Sequence, residues 1–210
     1  MAGAQGASPD ALSATTIVNV GYRSTNYWVV SAGRARVLVD LGWPGMVDEL
    51  LHALARADIP LAEIRYGFAT HYHMDHAGAA EDLKRRGMPL LVWEQQREAI
   101  PLMRQHMKPS DRYTEITDAG NVVRRCEESR ALLASLGIAG EVVPTPGHSP
   151  DSVSLVLDSG ACFTGDLTME RMVGAEDPQV VAASWARLRA LGARTVHAGH
   201  GPPYPMPPAP

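Results

Sequence analysis

Five histidines and two aspartates carry the legible chemistry of this 210-residue chain. His71, His73, Asp75 and His76 fall in the run Thr70-His-Tyr-His-Met-Asp-His76. His148 follows in Thr145-Pro-Gly-His148, Asp166 in Thr164-Gly-Asp166, and His200 in Ala198-Gly-His-Gly-Pro202. Neutral imidazole and carboxylate suit Zn²⁺, Fe²⁺ or Mn²⁺, and seven such donors can hold two ions with room for water. A water-bearing metal site suits hydrolysis. His71 and His73 are two residues apart at a strand end, so they project to the same side. The chain then turns, and Asp75 and His76 approach from the helix that follows. The spacing reads as His71, His73 and His148 on a first ion, Asp75, His76 and His200 on a second, with Asp166 bridging.

Strand ends must bring these positions together. Thr15–Val20, Asn26–Ser31 and Ala35–Asp40 read as short strands rich in Val, Ile, Thr and aromatics. Ile64–Thr70 is a strand that feeds the first His cluster. Pro89–Trp93, Glu141–Val143, Ser152–Leu157, Ala161–Thr164 and Arg194–His197 complete the set. Helices are expected at Met46–Ala57, His76–Arg86, Glu94–Met107 and Glu127–Leu136. Another begins at Pro178 with Asp177 as its N-cap and ends at Gly192. Its buried stripe is Val181, Trp185 and Leu188. Ser110–Asn121 reads as a polar linking stretch. Residues 1–13 read as a loose N-terminal arm, 14–201 as one domain, and 202–210, with six prolines, as an extended or disordered tail. Every ligand candidate follows a strand. Such strand ends converge on one edge of the sheets, where binding sites form in mixed α/β proteins.

Bulk properties narrow the partners. The length suits a single domain with a full core. A net charge of −4, with no long run of one sign, argues against a nucleic-acid backbone as partner. Cys126 and Cys162 make no disulfide framework and fit a reducing compartment. Met1–Asp10 has no apolar signal region, and no stretch is long and apolar enough to span a membrane. The expectation is a cytoplasmic protein acting on a small molecule, with no nucleic-acid or membrane partner; a homodimer stays open.

The ordered set of ligands resembles that of the metallo-β-lactamase superfamily. The resemblance runs from Asn26-Tyr27 and Val39-Asp-Leu-Gly42 to Gly199-His-Gly201. The family's loop motif stands here as His71-Tyr-His-Met-Asp-His76, and its later ligands match His148, Asp166 and His200 in order. The resemblance implies an α/β fold, an αββα sandwich with the metal site along one edge of the paired sheets. It also implies two divalent ions, zinc first, with iron or manganese as alternatives. Asp40, which ends a strand, is expected to support the metal loop by hydrogen bonding. His197 is a candidate for a supporting bond near the site. His52 and His106 read as non-ligands, and Cys162 as a buried strand residue.

Departures point to a branch. The family's true β-lactamases generally lack the bridging aspartate, so Asp166 looks more like the thioesterase, lactonase and nuclease branches, with glyoxalase II and lactonases the relatives this chain most resembles. Acyl-homoserine lactonases carry a tyrosine three residues after that aspartate, where this chain has Met169. A C-terminal helical region like that of glyoxalase II, and the insertions or basic arm of processing nucleases, are not expected here. The expected reaction is attack of a metal-bridging hydroxide on a small ester, thioester or lactone, with Asp75 and Asp166 central and Asp75 also handling a proton. A phosphodiesterase using the same two metals and a one-iron persulfide dioxygenase are the alternatives. Candidate pocket walls are Tyr22 and Arg23 in the first hairpin turn, Trp93, Met103, His106, Met107 and Tyr113 in the middle segment, and Met169 and Arg171 after the bridging aspartate.

Overall fold

Side-chain alternation along the strands sets the layering of this protein. The computed structural model describes residues 15–209; the expected arm at 1–13 lies outside them. Strands β1 (Thr16–Asn19), β2 (Trp28–Ala32), β3 (Ala35–Val39) and β4 (Ile64–Phe68) form one sheet in that order, antiparallel except for β3 with β4. A bridge from Gly67 to Leu90 ties this sheet to β5 (Leu91–Trp93), which pairs in parallel with β6 (Val122–Arg124). The second sheet holds β7 (Gly140–Pro144), β8 (Val153–Leu157), β9 (Ala161–Gly165), β10 (Thr195–Ala198) and β11 (Tyr204–Pro205), in spatial order 11-10-9-8-7.

Alternate residues of each strand face opposite layers. Trp28, Val30, Val37, Val39 and Phe68 of the first sheet meet Val153, Leu155, Leu157 and Phe163 of the second in one apolar layer. Val29 and Leu38, on the other face, pack under α1 (Val47–Arg56) and α3 (Ala80–Arg85). Val156, Cys162 and Val196, on the far face of the second sheet, pack under α5 (Pro178–Ala190). The result is helix, sheet, sheet, helix: the expected αββα sandwich. In α1, Val47, Leu50, Ala53 and Leu54 are buried at helical spacing, while Asp48 and Glu49 open the helix and Arg56 closes it, each favourable to the helix dipole. In α5, the Asp177 carboxylate accepts from Gln179 N at 2.8 Å and Pro178 takes the first turn, as expected.

Two helix expectations need correction, and two other segments carry more order than expected. The helix drawn over His76–Arg86 starts earlier and breaks in two, as α2 (Met74–Ala77) and α3. At the break, Ala79 N donates to Gly42 O at 3.1 Å, and the Gly78 backbone lies so close to Pro44 that a Cβ would collide. The helix drawn over Glu94–Met107 is instead two 3-10 segments, Glu94–Gln96 and Ile100–His106. Pro101 lacks an amide hydrogen and disfavours α geometry at Ile100. The linking stretch runs directly into β6, an exposed three-residue strand without readable alternation. The proline-rich tail is not free: Tyr204–Pro205 add an antiparallel strand to β10, and Met206 N donates to Arg194 O at 2.8 Å. The remaining short helix, α4 (Ser129–Ser135), follows a 3-10 turn at Cys126–Glu128.

Candidate metal centre

The loop after β4 and the segments around β8, β9 and β10 bring together two groups of donors. His71, His73 and His148 form one, and Asp75, His76, Asp166 and His200 the other; within each, ligand atoms lie within 4.8 Å of one another. Asp166 faces both groups. Its Oδ2 lies 3.2 Å from His200 Nε2 and 3.9 Å from His148 Nε2, and its Oδ1 lies 3.3 Å from His76 Nε2. His148 Nε2 and His73 Nδ1 are 3.0 Å apart.

Hydrogen bonds behind the donors fix which ring nitrogen faces inward. Asp40 sits in the left-handed region (φ 67°) at the end of β3 and is buried. One of its oxygens accepts from Thr70 N at 2.7 Å and Thr70 Oγ1 at 2.9 Å; the other lies 2.9 Å from His76 Nδ1. A carboxylate only accepts, so His76 carries its proton on Nδ1 and turns the Nε2 lone pair inward. The Thr70 hydroxyl, having given its proton to Asp40, accepts from His71 Nδ1 at 3.1 Å, which likewise leaves His71 Nε2 free. His200 donates from Nδ1 to Ser24 O at 2.6 Å and turns Nε2 toward Asp75 and Asp166. Asp40 thus governs ligands in both groups.

Buried atoms provide the test of fit. His71 Nε2, His76 Nε2 and Asp166 Oδ1 are buried and have no hydrogen-bond partner among the described residues. Leaving such atoms unpaired is costly in a folded protein, and divalent cations among these donors would satisfy all three. Electrostatics agree. Burial drives His71 well below the usual imidazole range, reinforced by the charges of His76 and His73, so it stays a neutral ligand. Burial opposes ionisation of Asp75 and Asp166, yet the His76 ring, 3.4 and 3.3 Å away, outweighs it and holds both carboxyls low. In His76, burial is outweighed by the Asp40 charge, which raises its affinity for protons in the metal-free protein.

Supporting residues surround the donors, and of these Asp151, Gln96 and Thr25 carry no sequence signal. Asp151 accepts from Tyr72 N at 2.8 Å, holding the peptide between His71 and His73. Gln96 is fully buried in the middle segment. Its amide nitrogen lies 3.1 to 3.2 Å from the carbonyls of Ala69, Thr70 and Asp151. Thr25 Oγ1 donates to Asp75 Oδ2 at 3.0 Å, and Thr25 itself pairs with His200. Asn26 donates to Ala198 O and Gly201 O, at 3.0 and 2.7 Å, pinning the loop that bears His200. A Cβ on Gly199 would strike Asp166 Oδ1 and His76, so only glycine fits there.

The remaining site expectations divide. Met103 and His106 line a cavity that also includes His73. Trp93 does not: it is buried between the sheets against Phe68. Met107 and Tyr113 pack on the first core. The Tyr22 hydroxyl is already used, accepting from Trp43 N at 3.0 Å and donating to Met46 O, while Arg23 lies 5.6 Å over the Trp43 ring. Met169 and Arg171 line a separate groove with the C-terminal tail. His197 is not a supporting residue of the ligands. Its ring stacks on Phe163 at 4.9 Å and meets Trp28 edge-on, and its Nδ1 has no partner among the described residues. His52 is exposed on α1.

A four-layer sandwich with a three-histidine group and an Asp/His group of donors along one sheet edge has the architecture of a metal-dependent enzyme. The chain belongs to the metallo-beta-lactamase superfamily, whose family model matches residues 20–200. It is 28% identical over 181 residues to an atrochrysone carboxyl ACP thioesterase of Aspergillus fumigatus, covering 85% of this chain and 51% of that protein. It is 25% identical to thioesterase pkgB of Emericella nidulans, covering 91% and 52%. The chain therefore spans about half the length of these curated relatives. Among solved structures, TTHA1623 in a di-iron-bound form superposes with a TM-score of 0.69 at 26% identity, covering 91% of this chain and 94% of that one.

Proposed function

We propose that this chain is a metal-dependent hydrolase that holds two divalent cations and cleaves a small thioester, ester or lactone. The observation that carries this reading is the convergence of His71 Nε2, His76 Nε2 and Asp166 Oδ1, all buried and without a hydrogen-bond partner among the described residues, on one edge of the fold. Two divalent cations there supply Lewis acidity and a water acidified toward neutral pH. His71, His73 and His148 form one wall of the reaction space, and Asp75, His76 and His200 the other. Asp166 lies between them. Asp75 stays ionised at neutral pH, held by His76 and the Thr25 hydroxyl. A carboxylate held so low is a ligand first and a weak proton acceptor second.

Thioesters come first among the acyl substrates in this reading, which two relatives named as thioesterases support. Imidazole and carboxylate donors suit zinc, and the di-iron form of TTHA1623 keeps iron beside it. The partner is a small molecule: the chain is net acidic at −4, and a long polyanion needs a dense basic stripe. Cys126 and Cys162 are free, buried thiols, which suits a reducing compartment, and we assign the protein to the cytoplasm on that ground. No helix among the described residues is long and apolar enough to cross a membrane.

The test is metal quantification on protein purified without added metal, followed by a matched panel of thioester, ester, lactone, phosphodiester and persulfide substrates. About two ions per chain with acyl hydrolysis is the expected result. One iron with oxygen uptake on a persulfide would overturn the reading, as would phosphodiester cleavage more efficient than hydrolysis of every acyl compound.

A further inference from the structure

One surface cavity joins the metal centre directly. It measures about 320 Å³, near the lower end of ligand pockets, which run from about 300 to 1,000 Å³. His73, the exposed member of its ligand group, forms part of the wall. Apolar lining comes from Tyr72, Ala99, Leu102, Met103 and Pro150. Tyr72 and Met103 are buried. Leu102 is 52% exposed, a large apolar side chain left in water with no core to serve. The Tyr72 hydroxyl is buried without a hydrogen-bond partner among the described residues. The ionisable groups on the lining, besides His73 and Tyr72, are Glu98, Asp151 and His106.

We propose that this cavity is the acyl subsite: it takes the apolar chain of an uncharged acyl thioester or ester whose carbonyl lies beside His71, His73 and His148. The inference rests on the hydrolase reading and adds the acyl class. His73 belongs to the cavity and to the ligand group at once, so a carbonyl at that group sends its chain along Ala99 and Leu102. Glu98 and Asp151 line the space and no lysine or arginine does, so a chain ending in a carboxylate is disfavoured there. Leu102 then gains on binding the cover it lacks in the free protein. In the reaction, water gives its oxygen to the acyl carbon, the carbon–sulfur bond breaks, and the sulfur leaves as thiol with a proton from that water. The other product is the acyl carboxylate and a second proton.

The experiment has a kinetic and a binding arm. Acetyl, butyryl, hexanoyl and succinyl thioesters of one thiol are compared on metal-loaded protein. Each methylene buried is worth about fourfold, so hexanoyl should exceed acetyl by on the order of 100-fold, with succinyl well below butyryl. Leu102→Asp, at an exposed position that leaves the core intact, should lower the hexanoyl-over-acetyl ratio at least about tenfold. In the second arm, a non-hydrolysable S-hexyl thioether is titrated into methyl-labelled protein. The Met103 methyl should shift in wild type and stay still in Leu102→Asp. A ratio unchanged by Leu102→Asp overturns the subsite while leaving the hydrolase reading intact, as does a Met103 methyl that ignores the thioether. If no acyl compound is hydrolysed, the hydrolase reading fails, and a Met103 response to the thioether alone would still establish an alkyl-binding cavity.

Discussion

Replacing Asp40 with asparagine changes one atom and removes one of two functions. The carboxylate accepts from three donors: Thr70 N and Thr70 Oγ1 on one oxygen, His76 Nδ1 on the other. Asparagine has a single acceptor oxygen. If that oxygen keeps the Thr70 bonds, its NH₂ group meets His76 Nδ1. His76 can then accept only by moving its proton to Nε2, the atom 3.4 Å from Asp75 and 3.3 Å from Asp166. Binding a cation requires the reverse tautomer, which sets two donors face to face. Losing one charge-assisted bond costs about 1.5–3 kcal/mol, which is about 10- to 150-fold in affinity. Turning the amide over does not help, because Thr70 N–H has no second tautomer. The backbone is not at issue either, since asparagine tolerates positive φ. The cation held by Asp75, His76, Asp166 and His200 should therefore weaken about 10- to 100-fold. The His71 group, tied through Thr70 to the retained oxygen, should change less. Titration of metal-free protein with Zn²⁺ against a competing chelator resolves the two steps. Two affinities within twofold of wild type, in a variant with the wild-type circular dichroism spectrum, would refute the reasoning.

Three further outcomes are expected. Gly199→Ala forces Asp166 and His76 apart, and a displacement of that kind costs on the order of 10²-fold in kcat/KM; wild-type kinetics with full metal content would contradict the contact. Asp166→Ala and His148→Ala should each lower hydrolysis on the order of 10²-fold, whereas His52→Ala, exposed on α1, should stay close to wild type in the same assay. Burial pushes the Cys126 and Cys162 thiols up to about 12, with Glu127 adding to the effect at Cys126. Both should therefore resist a thiol reagent at pH 8 until urea is added. A raised acid pKa stabilises the fold below the unfolded value and loses that contribution as pH climbs, because only the unfolded chain ionises. Melting temperature should fall between about pH 8.5 and 10; Tyr27 and Tyr72, also raised by burial, add to the loss at the upper end. A flat profile there would contradict these environments.

What could be read from sequence depended on whether local chemistry or distant packing sets a residue's role. The seven donors were legible because imidazoles and carboxylates just after strands have few other uses in such an order, and the structure gathers them into two groups. Strands β2, β3, β8 and β9 were legible because each is buried on both faces and bounded by turn residues. The middle segment was not. Apolar residues from Ile100 to Met107 suggest a helix, but Pro101 changes the hydrogen-bonding pattern without changing the composition. His197 misled in the opposite direction. Its distance from His200 suggested a shared site, yet β10 pairs it with Phe163, and strand register decides what a ring touches. Gln96 shows the limit most clearly. It lies in a segment with no readable period, and its function is to supply N–H groups where the carbonyls of Ala69, Thr70 and Asp151 converge. That convergence exists only once β4 and the loop before β8 are side by side. A residue that satisfies backbone groups from two distant segments has no local pattern to betray it, although here it anchors the peptide on which His71 is mounted.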